Sequence, residues 1–248
     1  MVCVQKSLSV GPALAFRKGL RDGIPICLGY ISVSFAFGMM AAEGGLPVWT
    51  AVLISVTNLT SSGQVAGTSL ILAGGSLLEI GITTFVINIR YMLMSLSLSQ
   101  KLDSKMTLLE RCILAFGNTD EIFAVSMQQR GPIPSRYLAG LILLPFAGWA
   151  LGTFTGAAMA GVLPAAIRSA LGIAIYGMFL AIIVPPAKHS RQILLVVAIS
   201  AGISCLFAYT PVLSQLSSGW VIIICAFAAA GFAAWKFPLP VLDEEEED

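Results

Sequence analysis

Two adjacent carboxylates, Asp120 and Glu121, stand behind Asn118 and Thr119 inside an apolar stretch running from residue 112 to 127. An ionisable side chain at membrane depth costs about 2.5–3.5 kcal/mol even on insertion scales, and such groups line pathways for ions and polar substrates. A carboxylate there can hold a substrate ammonium or carry a proton, because burial and neighbouring cations set its charge. Successive residues on a helix point roughly 100° apart. One acid can therefore face a site while the other meets a cation such as Arg90. The same four residues also read as a helix N-terminus, with Asn118 or Thr119 as cap and the acids favoured by the dipole.

Two further polar groups interrupt the hydrocarbon. Asn58, Ser61, Ser62, Gly63 and Gln64 break an apolar segment in two. A helix opening at such a break offers unpaired N–H groups and a positive dipole end to a carboxylate, with hydroxyl and amide side chains adding hydrogen bonds. The alternative is an ordinary polar turn between two spans. Asn88 and Arg90 lie mid-way along the apolar run 81–98, and Arg90 is the lone basic residue between Arg21 and Lys101. At about 1.5 Å rise per residue it sits too deep to reach the surface with ease, so an acidic partner is expected, Asp120 or Glu121 being the natural choice. A structural ion pair and a substrate-binding role are both compatible with this placement.

The elements that must position these groups are membrane helices. Of 248 residues, 57% are apolar and 11% charged, and the mean hydropathy is +0.88. Soluble domains carry about 25% charged residues, so this composition specifies an all-α polytopic membrane protein embedded in a lipid bilayer. A net charge of +1 supplies no basic face for nucleic acid. Cys3, Cys27, Cys112, Cys205 and Cys225 are scattered, mostly in apolar runs, and His189 stands alone. They read as small apolar side chains. No nucleophile–base pair, phosphate loop or metal cluster is visible, so no enzyme, cofactor or metal site is expected.

A span needs about 20 apolar residues. Clear runs cover 24–42, 81–98, 137–163, 167–184, 192–209 and 218–235, with broken segments at 46–79 and 112–129. Basic residues cluster in 1–21, 100–111, 130–136 and 188–191. The positive-inside rule places all four in the cytoplasm. That requires residues 46–79 to enter and leave on the outer side and residues 112–129 on the inner side. The expectation is therefore six full helices plus two re-entrant segments approaching from opposite faces, in one transporter domain covering 1–248, with an inverted repeat possible. Seven or eight full spans, with one loop breaking the charge rule, is the alternative. The segment 1–21 lacks the sustained apolar core of a signal peptide and is expected in the cytoplasm, as is the acidic tail 237–248. Broken backbone at membrane depth is tolerated only inside protein or beside a cavity, and half-helices meeting there build the sites of many secondary transporters. Gly148, Gly152, Gly156 and Ala160 recur every four residues, a stripe for close packing within the chain or against a second subunit. Gly23, Gly29 and Gly38 suit the same purpose.

At these residues the chain resembles the AzlC family of branched-chain amino acid permeases. The matching segments are Gly23-Ile24-Pro25, Leu28-Gly29-Tyr30, Phe35-Ala36-Phe37-Gly38, Ser62 with Gln64, Asn88-Ile89-Arg90, Thr119-Asp120-Glu121 with Phe123-Ala124, and Gly148-Trp149 through Gly152-Thr153 to Gly156. The likeness covers roughly residues 10–235. It implies export of branched-chain amino acids across the bacterial cytoplasmic membrane, together with a small hydrophobic AzlD-type subunit. Two positions depart from the family's habit. Thr60-Ser61 replaces Ala-Gly, and Tyr91 replaces the histidine after the arginine. A passive channel for small solutes and a structural subunit of a transport complex are the competing functions.

Overall fold

The structure, a computed structural model, describes residues 15–164, 166, 170, 173, 177, 180, 183–211 and 213–237. Regular structure among them is helical, as the composition requires. Five helices are long and apolar enough to cross a membrane: α1 (Phe16–Glu43), α4 (Leu77–Ser99), α7 (Ser135–Met159), α8 (Arg191–Tyr209) and α9 (Ser218–Lys236). The expected span 167–184 lies largely outside the described residues, as do residues 1–14 of the N-terminal segment and 238–248 of the tail. The chain divides into two compact units, residues 1–65 with 87–175, and residues 66–86 with 176–248.

The first unit is organised around α1 and α7. The α1 helix starts at Phe16, eight residues before the apolar run, because its early charges have partners. Lys18 Nζ donates to Asp22 Oδ2 at 2.7 Å and to Gln129 Oε1 at 2.8 Å, and Tyr137 Oη donates to Asp22 Oδ2 at 2.8 Å. Glycines let the two backbones touch. A Cβ on Gly19 would strike the Tyr137 carbonyl, one on Gly38 the Thr153 carbonyl, and one on Gly156 the Phe35 carbonyl. The stripe Gly148, Gly152, Gly156 is thus packing within the chain, against α1. Gly29 takes no part, since nothing lies within 4 Å of where its Cβ would be.

Both interrupted segments are broken helices. Residues 46–79 contain α2 (Val48–Thr57) and α3 (Ser61–Leu72), separated at residues 58–60. Residues 112–129 hold the end of α5 (Leu108–Ala115), a break at 116–119, and α6 (Asp120–Gln128). The flanks of the α5–α6 pair are tied together. Asp103 N–H donates to the Ile133 carbonyl and Ile133 N–H to the Lys101 carbonyl, each at 2.9 Å. Chain leading into the pair and chain leaving it therefore share one end. This is the return geometry expected of a re-entrant segment, and it excludes α5–α6 as a full span. Thr107 and Glu110 form a capping box at the start of α5. The hydrogen bonds from the Thr107 backbone and hydroxyl hold the Glu110 carboxyl below its usual range.

In the second unit α8 packs on α9, and the start of α4 meets the start of α9. Ser217, the N-cap of α9, donates its hydroxyl to Glu79 in the first turn of α4. The two N-termini therefore lie side by side.

Candidate functional site

The break 116–119 ends on Thr119, whose hydroxyl caps α6 by accepting the Ile122 N–H. The capping reading of the sequence is thus correct, and it coexists with longer-range contacts. Tyr30 of α1 brings its phenol 2.6 Å from both Thr119 Oγ1 and Glu121 Oε2. A phenol has one proton. The arrangement that satisfies all three groups has Thr119 donating to Tyr30 and Tyr30 donating to Glu121. Asp120 faces the other way, and its Oδ1 accepts from Arg90 Nη1 at 2.6 Å. Arg90 also donates to Tyr91 Oη at 3.2 Å, with its guanidinium 4.8 Å from the centre of that ring. The two carboxylates are therefore split as their 100° separation demands: Asp120 to the arginine, Glu121 to the tyrosine. The Arg90–Asp120 pair is partly exposed, its side chains at 41% and 37%. Asn118 is nearly buried and donates from Nδ2 to Ser95 Oγ at 2.9 Å, while its Oδ1 has no hydrogen-bond partner.

The other break begins at Asn58, whose Oδ1 accepts from Thr60 Oγ1 at 3.1 Å. Ser61 and Ser62 open α3, half-buried, and Gly63 lies directly beneath Asn88. A Cβ on Gly63 would come within 2.8 Å of both amide atoms of Asn88, so only glycine admits that approach. Gln64 is completely buried and engaged at both ends. Its Nε2 donates to Ser55 Oγ at 2.8 Å and its Oε1 accepts from Trp149 Nε1 at 3.1 Å. Ser55 continues to Thr153 Oγ1 at 2.6 Å. Gln64 is thus a joint between α2, α3 and α7, and its amide is not turned to an open space.

These contacts bring the two breaks together. Asn88 and Arg90, two residues apart on α4, touch the start of α3 and the start of α6 respectively. On the opposite flank the indole that holds Gln64 packs edge-on against the ring of Tyr30. Tyr30, Ser55, Trp149 and Thr153 were not among the residues singled out from sequence as binding candidates. Trp149 and Thr153 each follow a glycine of the stripe and Tyr30 follows Gly29, so their signal was membership of the segments that carry the family resemblance.

Beside the α6 break lies a cavity of about 110 Å³ bounded by Leu98, Leu114, Leu138, Ser95, Asn118 and Arg111, with further small and apolar residues. Arg111 spends two of its donors on the Met106 and Asp103 carbonyls. Among the described residues no cluster of His, Cys, Asp and Glu is arranged to hold a metal ion.

Comparison with known proteins finds relatives over these same segments. The family described as "AzlC protein" matches residues 25–163, which include both breaks, α4 and α7. An uncharacterized membrane protein of Archaeoglobus fulgidus is 33% identical over 232 residues, covering 92% of this chain and 98% of its own. Inner membrane protein YgaZ of Escherichia coli K12 is 25% identical over 196 residues, 76% of this chain and 80% of its own. An uncharacterized membrane protein of Helicobacter pylori J99 is 27% identical over 148 residues, 57% of this chain and 64% of its own. No solved structure matches. The chain, a multi-pass membrane protein with two broken helices, belongs to the AzlC family, a family associated with membrane transport.

Proposed function

We propose that the protein is a secondary transporter that exports branched-chain amino acids from the bacterial cytoplasm together with a small AzlD-type subunit. The observation that carries this reading is the Arg90–Asp120 pair, partly exposed and placed at the start of the broken helix α6. An amino acid zwitterion carries one positive and one negative charge at short separation. It can replace the contact between Arg90 and Asp120 without leaving a charge unmatched, which a neutral solute or a simple ion cannot do. Its carboxylate would meet the guanidinium and the N-terminal turn of α3 at Ser61 and Ser62, where a helix offers unpaired N–H groups. Its ammonium would meet Asp120, with Glu121 and the unpartnered Asn118 carbonyl alongside. The neighbouring cavity of about 110 Å³, walled by Leu98, Leu114 and Leu138, suits a short branched hydrocarbon. Asn58, Gly63, Gln64, Asn88 and Thr119 would hold the two breaks in register.

The test is counterflow of labelled leucine in vesicles containing the full chain and its small partner. Exchange of external label for internal leucine, with accumulation above equilibrium, is the expected result. Flux that only runs downhill, under any ion gradient, points to a channel or uniporter instead.

A further inference from the structure

The second unit holds a buried acid that the site above does not use. Glu79 is 5% exposed, and among the described residues no Lys, Arg or His stands within ion-pair distance of it. Ser217 donates its hydroxyl to Oε1, and the Glu79 backbone N–H donates to Ser76 Oγ at 3.2 Å. One turn on, Thr83 is completely buried and its Oγ1 has no hydrogen-bond partner. Gly219 closes the pocket. A Cβ there would lie 2.5 Å from Glu79 Oε1 and 2.8 Å from Thr83 Oγ1, so both oxygens converge beside that glycine. Gly75 lies against the other carboxylate oxygen.

None of Gly75, Ser76, Thr83, Ser217 and Gly219 ionises. On the helices of this unit, Lys236 sits at the far end of α9, about 25 Å from Gly219 by helical rise. Arg191 opens α8, with Lys188 and His189 just before it. Among the described residues no cation is therefore in place to pair with Glu79. What surrounds it instead serves both of its forms. The carboxylate is met by the Ser217 hydroxyl and by the first turns of α4 and α9, whose dipoles favour an anion. The neutral acid has an O–H to place, and Thr83 Oγ1 is an acceptor with nothing else to bind.

We infer that Glu79 is a proton-binding site that couples transport to a proton gradient. The inference rests on the transporter reading above. One O–H bond forms at a carboxylate oxygen as the proton arrives from water on one side. The same bond breaks as it leaves to water on the other, and nothing else is exchanged.

Two measurements test it. In vesicles with labelled leucine, Glu79→Gln should lower the ratio of pH-driven accumulation to leucine exchange by about tenfold or more, within the usual span of coupling between sites. An unchanged ratio overturns the inference, as does accumulation that follows a sodium gradient at fixed pH and ignores the pH gradient. The second readout needs no substrate. Infrared difference spectra of the purified chain across a pH step should show the C=O stretch of a neutral carboxylic acid. Glu79→Gln should remove that band, and Thr83→Val should shift it by taking away the acceptor. A band that survives Glu79→Gln, or no band in the unsubstituted chain, overturns the inference. If the unsubstituted chain exchanges no leucine, the transporter reading fails by itself, and the infrared band alone decides whether Glu79 binds a proton.

Discussion

Tyr30 and Trp149 meet edge to face, their ring centroids 5.0 Å apart. Through this one contact the two broken segments share a support. The phenol is bound to Thr119 and Glu121 at the start of α6, and the indole is bound to Gln64 near the start of α3. Edge-to-face pairs of this kind contribute about 0.5–1.5 kcal/mol beyond their burial.

Removing the phenol oxygen tests that support. Tyr30→Phe keeps the ring contact but leaves Thr119 and Glu121 without their shared partner. Loss of a hydrogen bond to a charged group costs about 1.5–3 kcal/mol, and half-exposure of the acid favours the low end. Thermal unfolding in detergent should show that loss, while Trp149 fluorescence stays unchanged.

Gln64 should behave as a structural joint. Gln64→Leu leaves the Trp149 N–H and one Ser55 bond unmatched in a buried place, at about 1–3 kcal/mol per orphaned group. A clear drop in unfolding temperature is expected. Full stability combined with abolished transport would instead make Gln64 a substrate ligand.

The glycines of α1 divide sharply by surroundings. Gly38→Ala would drive a methyl group into the Thr153 backbone, and overpacking of this kind costs about 1–3 kcal/mol. Gly29→Ala meets open space in the middle of a helix, so it should be neutral or stabilising by about 0.5–1 kcal/mol. The unfolding midpoint should fall below the parent's for Gly38→Ala and lie at or above it for Gly29→Ala.

The capping box of α5 gives a pH dependence. Because Glu110 is held below its ordinary value by Thr107, its contribution is present above the unfolded value and lost as pH falls through the folded one. Thr107→Ala should therefore destabilise the protein at neutral pH, and the difference from the parent should shrink in acid. A difference that grows in acid contradicts the capping role.

Much of this architecture was legible in the chain. The polar runs at 58–64 and 118–121 marked the helix breaks because each inserts amide and hydroxyl groups where an apolar helix should continue. The four-residue spacing of Gly148, Gly152 and Gly156 marked a close helix contact, although not that α1 was the partner. Arg90 demanded an acid, and Asp120 supplies it. What stayed hidden were partnerships between distant residues. The joint made by Gln64 was not visible because Trp149, 85 positions away, gives no local sign of turning its N–H inward. Glu79 passed unremarked because it follows Gly74, Gly75 and Ser76 and reads as part of a surface turn. Only the approach of Ser217 and Gly219 buries it.

The account stands on Arg90 and Asp120 exchanging their mutual contact for a zwitterion. Their pair is partly exposed, so Asp120→Asn should cost about 1 kcal/mol or less in stability. The decisive measurement is efflux of labelled leucine from loaded vesicles, parent against Asp120→Asn at equal reconstituted amount. A fall of about tenfold or more is expected, since the charge partner of the ammonium is lost. Efflux at the parent's rate from a stably folded Asp120→Asn protein would contradict it.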